Sequence, residues 1–241
     1  MGPGGFLRWK ALTGSWPSLK LKTEDRDRFP ALLRVSRRDR MGHTVIALSR
    51  QYGSGGREIG RQLAQRLDIA FYDKEIIELA AGRGDIELSR LEGADENRSH
   101  PWLFESVYEG GGTAGRGTSP SDALYWLQSE VIRKKAREED CLLVGRCANH
   151  VLARAGIPHI SIYICAPLEK RIQQVGLLEH VDEKEAATLV RKTDKQRRAY
   201  YEQYTGHSWG APENYDLCIN SARYGVERTV DLLVRYCHQV D

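Results

Sequence analysis

Hydrophobic residues along the chain fall into short continuous runs, separated by stretches in which they recur every three or four positions. Val45-Ile46-Ala47-Leu48 is the first run, and Ile59, Leu63 and Leu67 follow it at helical spacing. Ile69-Ala70-Phe71-Tyr72-Asp73 is short and rich in β-formers, which predicts a second strand, with a helix from Lys74 to about Ala81. Leu124, Leu127, Val131 and Ile132 share one face of a helix that Asp122 can cap and that runs to about Glu138. Cys141-Leu142-Leu143-Val144 is apolar throughout, as a strand covered on both faces would be. A helix through Ala155 leads to the apolar strand Ile160–Cys165, and Pro167 is placed early in a helix that carries Arg171. Asp182, with Glu185 three residues on, caps a long helix predicted to end near Tyr204, before Gly206. Residues 215–220 read as a last strand, and Val226, Val230, Leu233 and Cys237 mark the closing helix.

That order, βαβα, an insertion, then αβαβαβα, gives five strands compatible with parallel pairing and right-handed crossovers. The fold class it predicts is α/β, a three-layer P-loop kinase-like fold around a five-stranded parallel sheet. The insertion, at about 82–121, is rich in glycine and charge and lacks sustained periodicity, so it reads as a mobile segment of the kind that covers a substrate.

Composition narrows the picture at the N-terminal end. Residues 1–40 hold ten Lys/Arg against four Asp/Glu, although the whole chain carries only +3. They show neither helical nor alternating periodicity. They can be read as a basic tail that touches nucleic acid or an acidic partner; the preferred reading is a disordered extension, or sequence upstream of a start at Met41. Residues 41–241 then form one domain. No apolar run approaches the length of a membrane span, and the first residues lack the basic start and apolar core of a signal sequence, so a soluble, cytoplasmic protein is expected. The five cysteines form no C-x-x-C pair, which argues for reduced thiols rather than disulfides or zinc.

The chemistry concentrates where the first strand meets the first helix. Gly53-Ser54-Gly55-Gly56 joins the two, and a glycine-rich turn there leaves backbone N–H groups facing a concavity that the helix dipole makes attractive to a phosphate. A dinucleotide fingerprint starting at Gly53 fails because Glu58 stands where its last glycine should be. A P-loop, G-x-x-x-x-G-K-[ST], aligns its opening glycine with Arg50 and its closing glycine with Gly55, so its lysine becomes Gly56 and its hydroxyl becomes Arg57. The cradle is kept without its two working side chains. Arg57, adjacent to the loop, is the natural substitute cation.

Other candidates lie at strand ends, where parallel sheets bind ligands. Asp73 ends the second strand, and capping the next helix would explain it nearly as well. Arg146 follows the third strand and suits a bidentate grip on phosphate. Arg191, Asp194, Arg197, Arg198 and Tyr201 fall within one broad face of the long helix.

The segments SRQYGSGGREIGRQLAQRL, FYDKEII, LLVGRCANHVL, APLEKRI, DKQRRAYYEQYTGHSWG and NYDLCINSARYGVE together resemble the cytidylate-kinase-like family of bacterial P-loop proteins, from about residue 43 to the C-terminus. More distantly the chain is similar to bacterial CMP kinases, which transfer the γ-phosphoryl of ATP to CMP or dCMP. The resemblance implies a helical lid, and ATP with Mg2+ as cofactors; in a kinase with this loop the ion would be held mainly by phosphates and water with help from Glu58 or Asp73. It implies that the 53–56 loop holds the ATP phosphates, to which the reading above adds Arg57, and that Arg146 matches the arginine of a G-R-D motif that holds the acceptor phosphate. Asp194 and Arg197 match the D-x-x-R lid motif, aspartate near the ribose and arginine on phosphate. The chain departs from that pattern at Cys147, where the aspartate that reads cytosine would stand. The reading is a phosphotransferase, with Arg57, Arg146 and Arg197 as catalytic cations and Asp73, Arg146, Arg191, Asp194 and Arg197 on the substrate side. Its partners are a nucleotide and a small-molecule acceptor, with neither membrane nor nucleic acid expected. A non-catalytic nucleotide- or phosphate-binding regulatory module is the alternative.

Overall fold

Strand β1 (Val45–Arg50) is buried along its whole length because it lies at the centre of a sheet covered on both faces. In the computed structural model, which describes residues 43–73, 75–84 and 120–240, β1 pairs in parallel with β3 (Cys141–Val144) on one side and β4 (Ile160–Cys165) on the other. β2 (Ala70–Tyr72) joins the outer edge of β3, and β5 (Leu217–Asn220) the outer edge of β4, giving the order β2-β3-β1-β4-β5 with every pairing parallel.

Alternation along β1 divides the core between the two faces. Ile46 and Leu48 pack with Leu142, Val144 and Ile162 against α1 (Gly56–Leu67) and α7 (Ser221–Val240). Val45 and Ala47 pack with Cys141 and Leu143 against α2 (Glu75–Gly84), α3 (Pro120–Glu138) and α4 (Ala148–Arg154). The result is three layers. Helix α1 approaches its face closely, since a Cβ at Gly60 would already touch Leu48 and Phe71 at 3.4 Å.

Helices α5 (Leu168–Glu179) and α6 (Glu183–Thr205) form the lid, packed on each other through Val175, Ala186 and Val190. The Asp182 carboxylate caps α6 by accepting the Glu185 N–H at 2.8 Å, and Gly206 ends it in a left-handed conformation.

Several boundaries differ from the periodicity, β2 among them, which spans only Ala70–Tyr72. Helix α3 opens at Pro120, so Asp122 falls inside its first turn and accepts instead from the Tyr204 hydroxyl of α6 at 3.1 Å. Helix α2 runs on to Gly84. Strand β5 starts at Leu217 because Asp216 is engaged sideways, its carboxylate accepting the Ser161 N–H and hydroxyl at 2.7 Å each. Of the insertion expected at 82–121, residues 82–84 belong to α2 and 120–121 to α3; the remainder, like the extension 1–40, lies outside the described residues. No described helix is long and apolar enough to cross a membrane, and the five cysteines carry free thiols.

Candidate functional site

Three charged side chains meet at the carboxyl ends of adjacent strands: Arg50 at the end of β1, Asp73 just after β2 and Arg146 just after β3. Their side chains are 10%, 5% and 3% exposed. Asp73 Oδ1 lies 3.5 Å from Arg50 Nη2 and 3.4 Å from Arg146 Nη1, while Oδ2 accepts from Arg57 Nε of α1 at 2.6 Å. Burial alone would push the Asp73 carboxyl up, but the guanidinium groups of Arg50, Arg146 and Arg57 outweigh it and hold the group below its ordinary value. Three cations around one carboxylate leave a net positive site.

The turn after β3 sets Arg146. Gly145, Arg146 and Cys147 all have positive φ (76°, 49° and 55°), a run that L-residues adopt at a cost of about 1–2 kcal/mol each. That conformation folds the Arg146 guanidinium back onto the Val144 carbonyl at 3.2 Å and towards Asp73. Cys147 is 3% exposed and packs against Tyr200 and Tyr201 of α6, so the residue after Gly145-Arg146 offers a thiol in an aromatic wall.

The glycine turn is held from two sides. Gly53, at φ 78°, faces α5 so closely that a Cβ would lie 2.6 Å from the Arg171 carbonyl oxygen. Opposite, the Ser221 hydroxyl at the start of α7 donates to the Ser54 carbonyl at 2.6 Å, and the Ser54 hydroxyl donates to the Gln51 carbonyl at 2.8 Å. Gly55, at φ 72°, is the N-cap of α1 and contributes no side-chain cap, so the first N–H groups of the helix at Gly56 and Arg57 have no upstream carbonyl to pair with. That end of α1 can receive an anion.

The lid residues separate into two groups. Asp194 is turned towards the loop: Oδ1 accepts the Tyr52 N–H at 2.8 Å and Oδ2 accepts from Arg171 Nη1 at 2.6 Å. Arg171 also donates to the Tyr52 and Ala166 carbonyls. Arg197 reaches the strand ends, donating to the Arg50 carbonyl at 3.2 Å with its guanidinium 5.6 Å from the Tyr52 ring centre. Together with Arg50, Arg146, Cys147, Tyr200 and Tyr201, it lines the cleft beneath α6. Arg191 is exposed, as is Arg198.

Arg57, Asp73, Arg146 and Arg197 are thus brought to one end of the sheet beside Gly53–Gly56, whereas Asp194 serves the loop and Arg191 faces outward. Sequence reasoning missed Arg50 as a site residue; its alignment with the opening glycine of a P-loop was the available signal. It also missed the joint engagement of Tyr52 by Asp194 and Arg171, for which no local pattern exists. A protein-held metal does not fit these residues. The Asp73 carboxylate faces arginines, Glu58 accepts from Arg61 and Gln62, and among the described residues no group of three His, Cys, Asp or Glu side chains is placed to hold an ion.

Comparison with known proteins agrees on the family. The model of the cytidylate kinase-like family matches residues 45–223. The chain is similar to a cytidylate kinase of Methanopyrus kandleri, 28% identical over 109 residues that cover 42% of this chain and 56% of that protein. It is also similar to one of Methanocaldococcus jannaschii, 24% identical over 111 residues, 44% and 62% of the two chains. The matched region therefore spans less than two thirds of either relative. The crystal structure of an uncharacterized protein from Eubacterium ventriosum superposes with a TM-score of 0.61 at 27% identity, covering 81% of this chain and 99% of that one.

Proposed function

The chain belongs to the cytidylate kinase-like family, and from that premise we propose that it is a nucleotide-dependent phosphotransferase moving the γ-phosphoryl of ATP to a (d)CMP-like or other small acceptor. The observation that carries this reading is the convergence of Arg50, Arg57 and Arg146 on Asp73 at the strand ends, beside the N-terminus of α1. Phosphoryl transfer asks little covalent chemistry of a protein. It needs the reacting groups aligned and the charge on the moving phosphoryl neutralised by groups already in place.

In this reading the backbone of Gly53, Ser54, Gly55 and Gly56 cradles the ATP phosphates, and Arg57 flanks them from the solvent side. Arg146 grips the acceptor, and Arg197 closes over it from α6, while Arg191 takes no part. Asp73 holds the arginines in register, and Asp194 supports the substrate side by fixing the loop through Tyr52. The γ-phosphorus exchanges its bond to the β,γ-bridging oxygen for one to an acceptor oxygen, and ADP leaves with the electron pair. Mg2+ enters only on the nucleotide's own phosphates, since the carboxylates here are engaged elsewhere. With Cys147 in the aromatic wall, cytosine is not the expected determinant of acceptor choice.

Glycine at the lysine position favours a second reading, a nucleotide-binding regulatory module without transfer. A panel of nucleoside monophosphates and small alcohols, incubated with ATP and Mg2+ and followed by ADP release, separates the two. Turnover with one acceptor supports the enzyme; ATP binding without turnover on any acceptor supports the module.

A further inference from the structure

Gly56 is more than an absent lysine. A Cβ built on it would lie 2.5 Å from Arg50 Cβ, 3.1 Å from Arg50 Cγ and 3.3 Å from Ile164 Cβ. The first of these collisions is with an atom that every residue except glycine would have at position 50. The backbones of β1's last residue and α1's first therefore approach so closely that only one of the two can carry a side chain into the space between them. In a P-loop, glycine opens the motif and lysine follows its last glycine. Here the basic residue is at 50 and the glycine at 56.

We propose that the two have exchanged places, so that Arg50 supplies from the end of β1 the cation that neutralises the β- and γ-phosphates, in place of a lysine on α1. This rests on the phosphotransferase reading above. Arg50 has the geometry for it. Its stem runs under the first turn of α1, and its head comes to rest over Gly145, where a Cβ would collide with the guanidinium. Glycines thus clear the way for both ends of one side chain. The head lies 3.5 Å from Asp73, whose other oxygen is held by Arg57 of α1, and lines the same cleft as Arg146 and Arg197. A buried guanidinium held in that position cannot be screened by solvent as an exposed one is, and it presents a planar fork to phosphate oxygens. Arg57, whose side chain is 62% exposed, lacks the first of these advantages.

The test is a swap. Full-length parent, Arg50→Gly, Gly56→Lys, the double variant and Arg57→Ala are compared by thermal melting, by ATP titration calorimetry and by ADP release with the acceptor that the parent uses. Gly56→Lys alone should melt well below the parent, and adding Arg50→Gly should recover most of that loss, because the collision is then gone. Arg50→Gly alone should bind ATP at least about tenfold more weakly and turn over about a hundredfold more slowly, the scale of one preorganised charge contact. The double variant should regain at least about tenfold of the lost turnover, a coupling that neither single change can show. Unchanged ATP affinity in Arg50→Gly, a double variant no better than Arg50→Gly, or a larger loss in Arg57→Ala than in Arg50→Gly would overturn the assignment. A parent that binds ATP but transfers to no acceptor overturns the transfer reading while the affinity comparison still decides Arg50. A parent that binds no ATP overturns both.

Discussion

Asp73 faces two buried guanidinium groups and one exposed one, and none of the three was brought near it by sequence proximity alone. Replacing it by asparagine leaves Arg50 and Arg146 buried without their counter-charge. Breaking a buried pair from one side costs about 3–5 kcal/mol, so Asp73→Asn should lower the urea midpoint accordingly. The pH dependence has a definite sign. Because the folded-state carboxyl lies below its unfolded value of about 3.9, its contribution is fully present above that pH and is lost as pH falls from there through the folded value. The stability gap between parent and Asp73→Asn should therefore be constant near neutrality and shrink below about pH 4; a gap that stays flat into strong acid would mean the carboxylate is not the source. Arg146 belongs to the same cluster, and the proposed function gives it the acceptor. Arg146→Ala should lower kcat/KM for the acceptor by about tenfold or more while ATP affinity holds, since one charged contact is worth that much. If ATP affinity falls and acceptor kinetics do not, the arginine serves the other substrate.

At the scale of elements, the hydrogen bonds from the lid helices to the glycine turn converge on Tyr52. The Tyr52 N–H donates to Asp194 of α6, its carbonyl accepts from Arg171 of α5, and its phenol donates to Glu179 at the end of α5. Burial and the Glu179 hydrogen bond push that phenol up to about 12, so it stays protonated and able to donate across the working pH range. Movement of α5 and α6 must therefore move the turn. Asp194→Asn removes the charge that pairs with Arg171 while keeping an oxygen for Tyr52. Native-state hydrogen exchange in that variant should show faster opening at residues 52–54 and along α6, with the amides of β1 and β3 unchanged, because lids open as local units below the global stability. Exchange unaltered in the 52–54 turn would show that the latch does not control it.

For the whole molecule, the described core on each face of the sheet is built from residues after Met41. We propose that residues 1–40 contribute nothing to that core, and thermal melts of the full chain and of protein starting at Met41 should agree within about 2 °C. A gap above about 4 °C, roughly 1 kcal/mol for a chain of this size, would mean that the extension packs on the domain.

The strands, the ends of α6 and the glycine turn were legible in the sequence because each depends on local rules: apolar runs for buried strands, Asp182 with Glu185 for a cap, Gly206 for a stop. The family was legible for a related reason, since its segments carry the turns and strand ends in fixed order. Tertiary structure alone decided what the charged residues do. Helical periodicity put Arg191, Asp194, Arg197 and Arg198 on one broad face, yet only the packing of α6 over the strand ends turned Asp194 and Arg197 inward and left the other two exposed. Asp122 looked like a cap until α6 brought Tyr204 beside it. Arg50 entered only through its alignment with the opening glycine of a P-loop, because nothing within a few residues of it predicts burial. Its surroundings, Gly56, Asp73 and Gly145, come from three different strand-to-helix connections, and a buried charge is tolerated only where such distant partners are assembled around it.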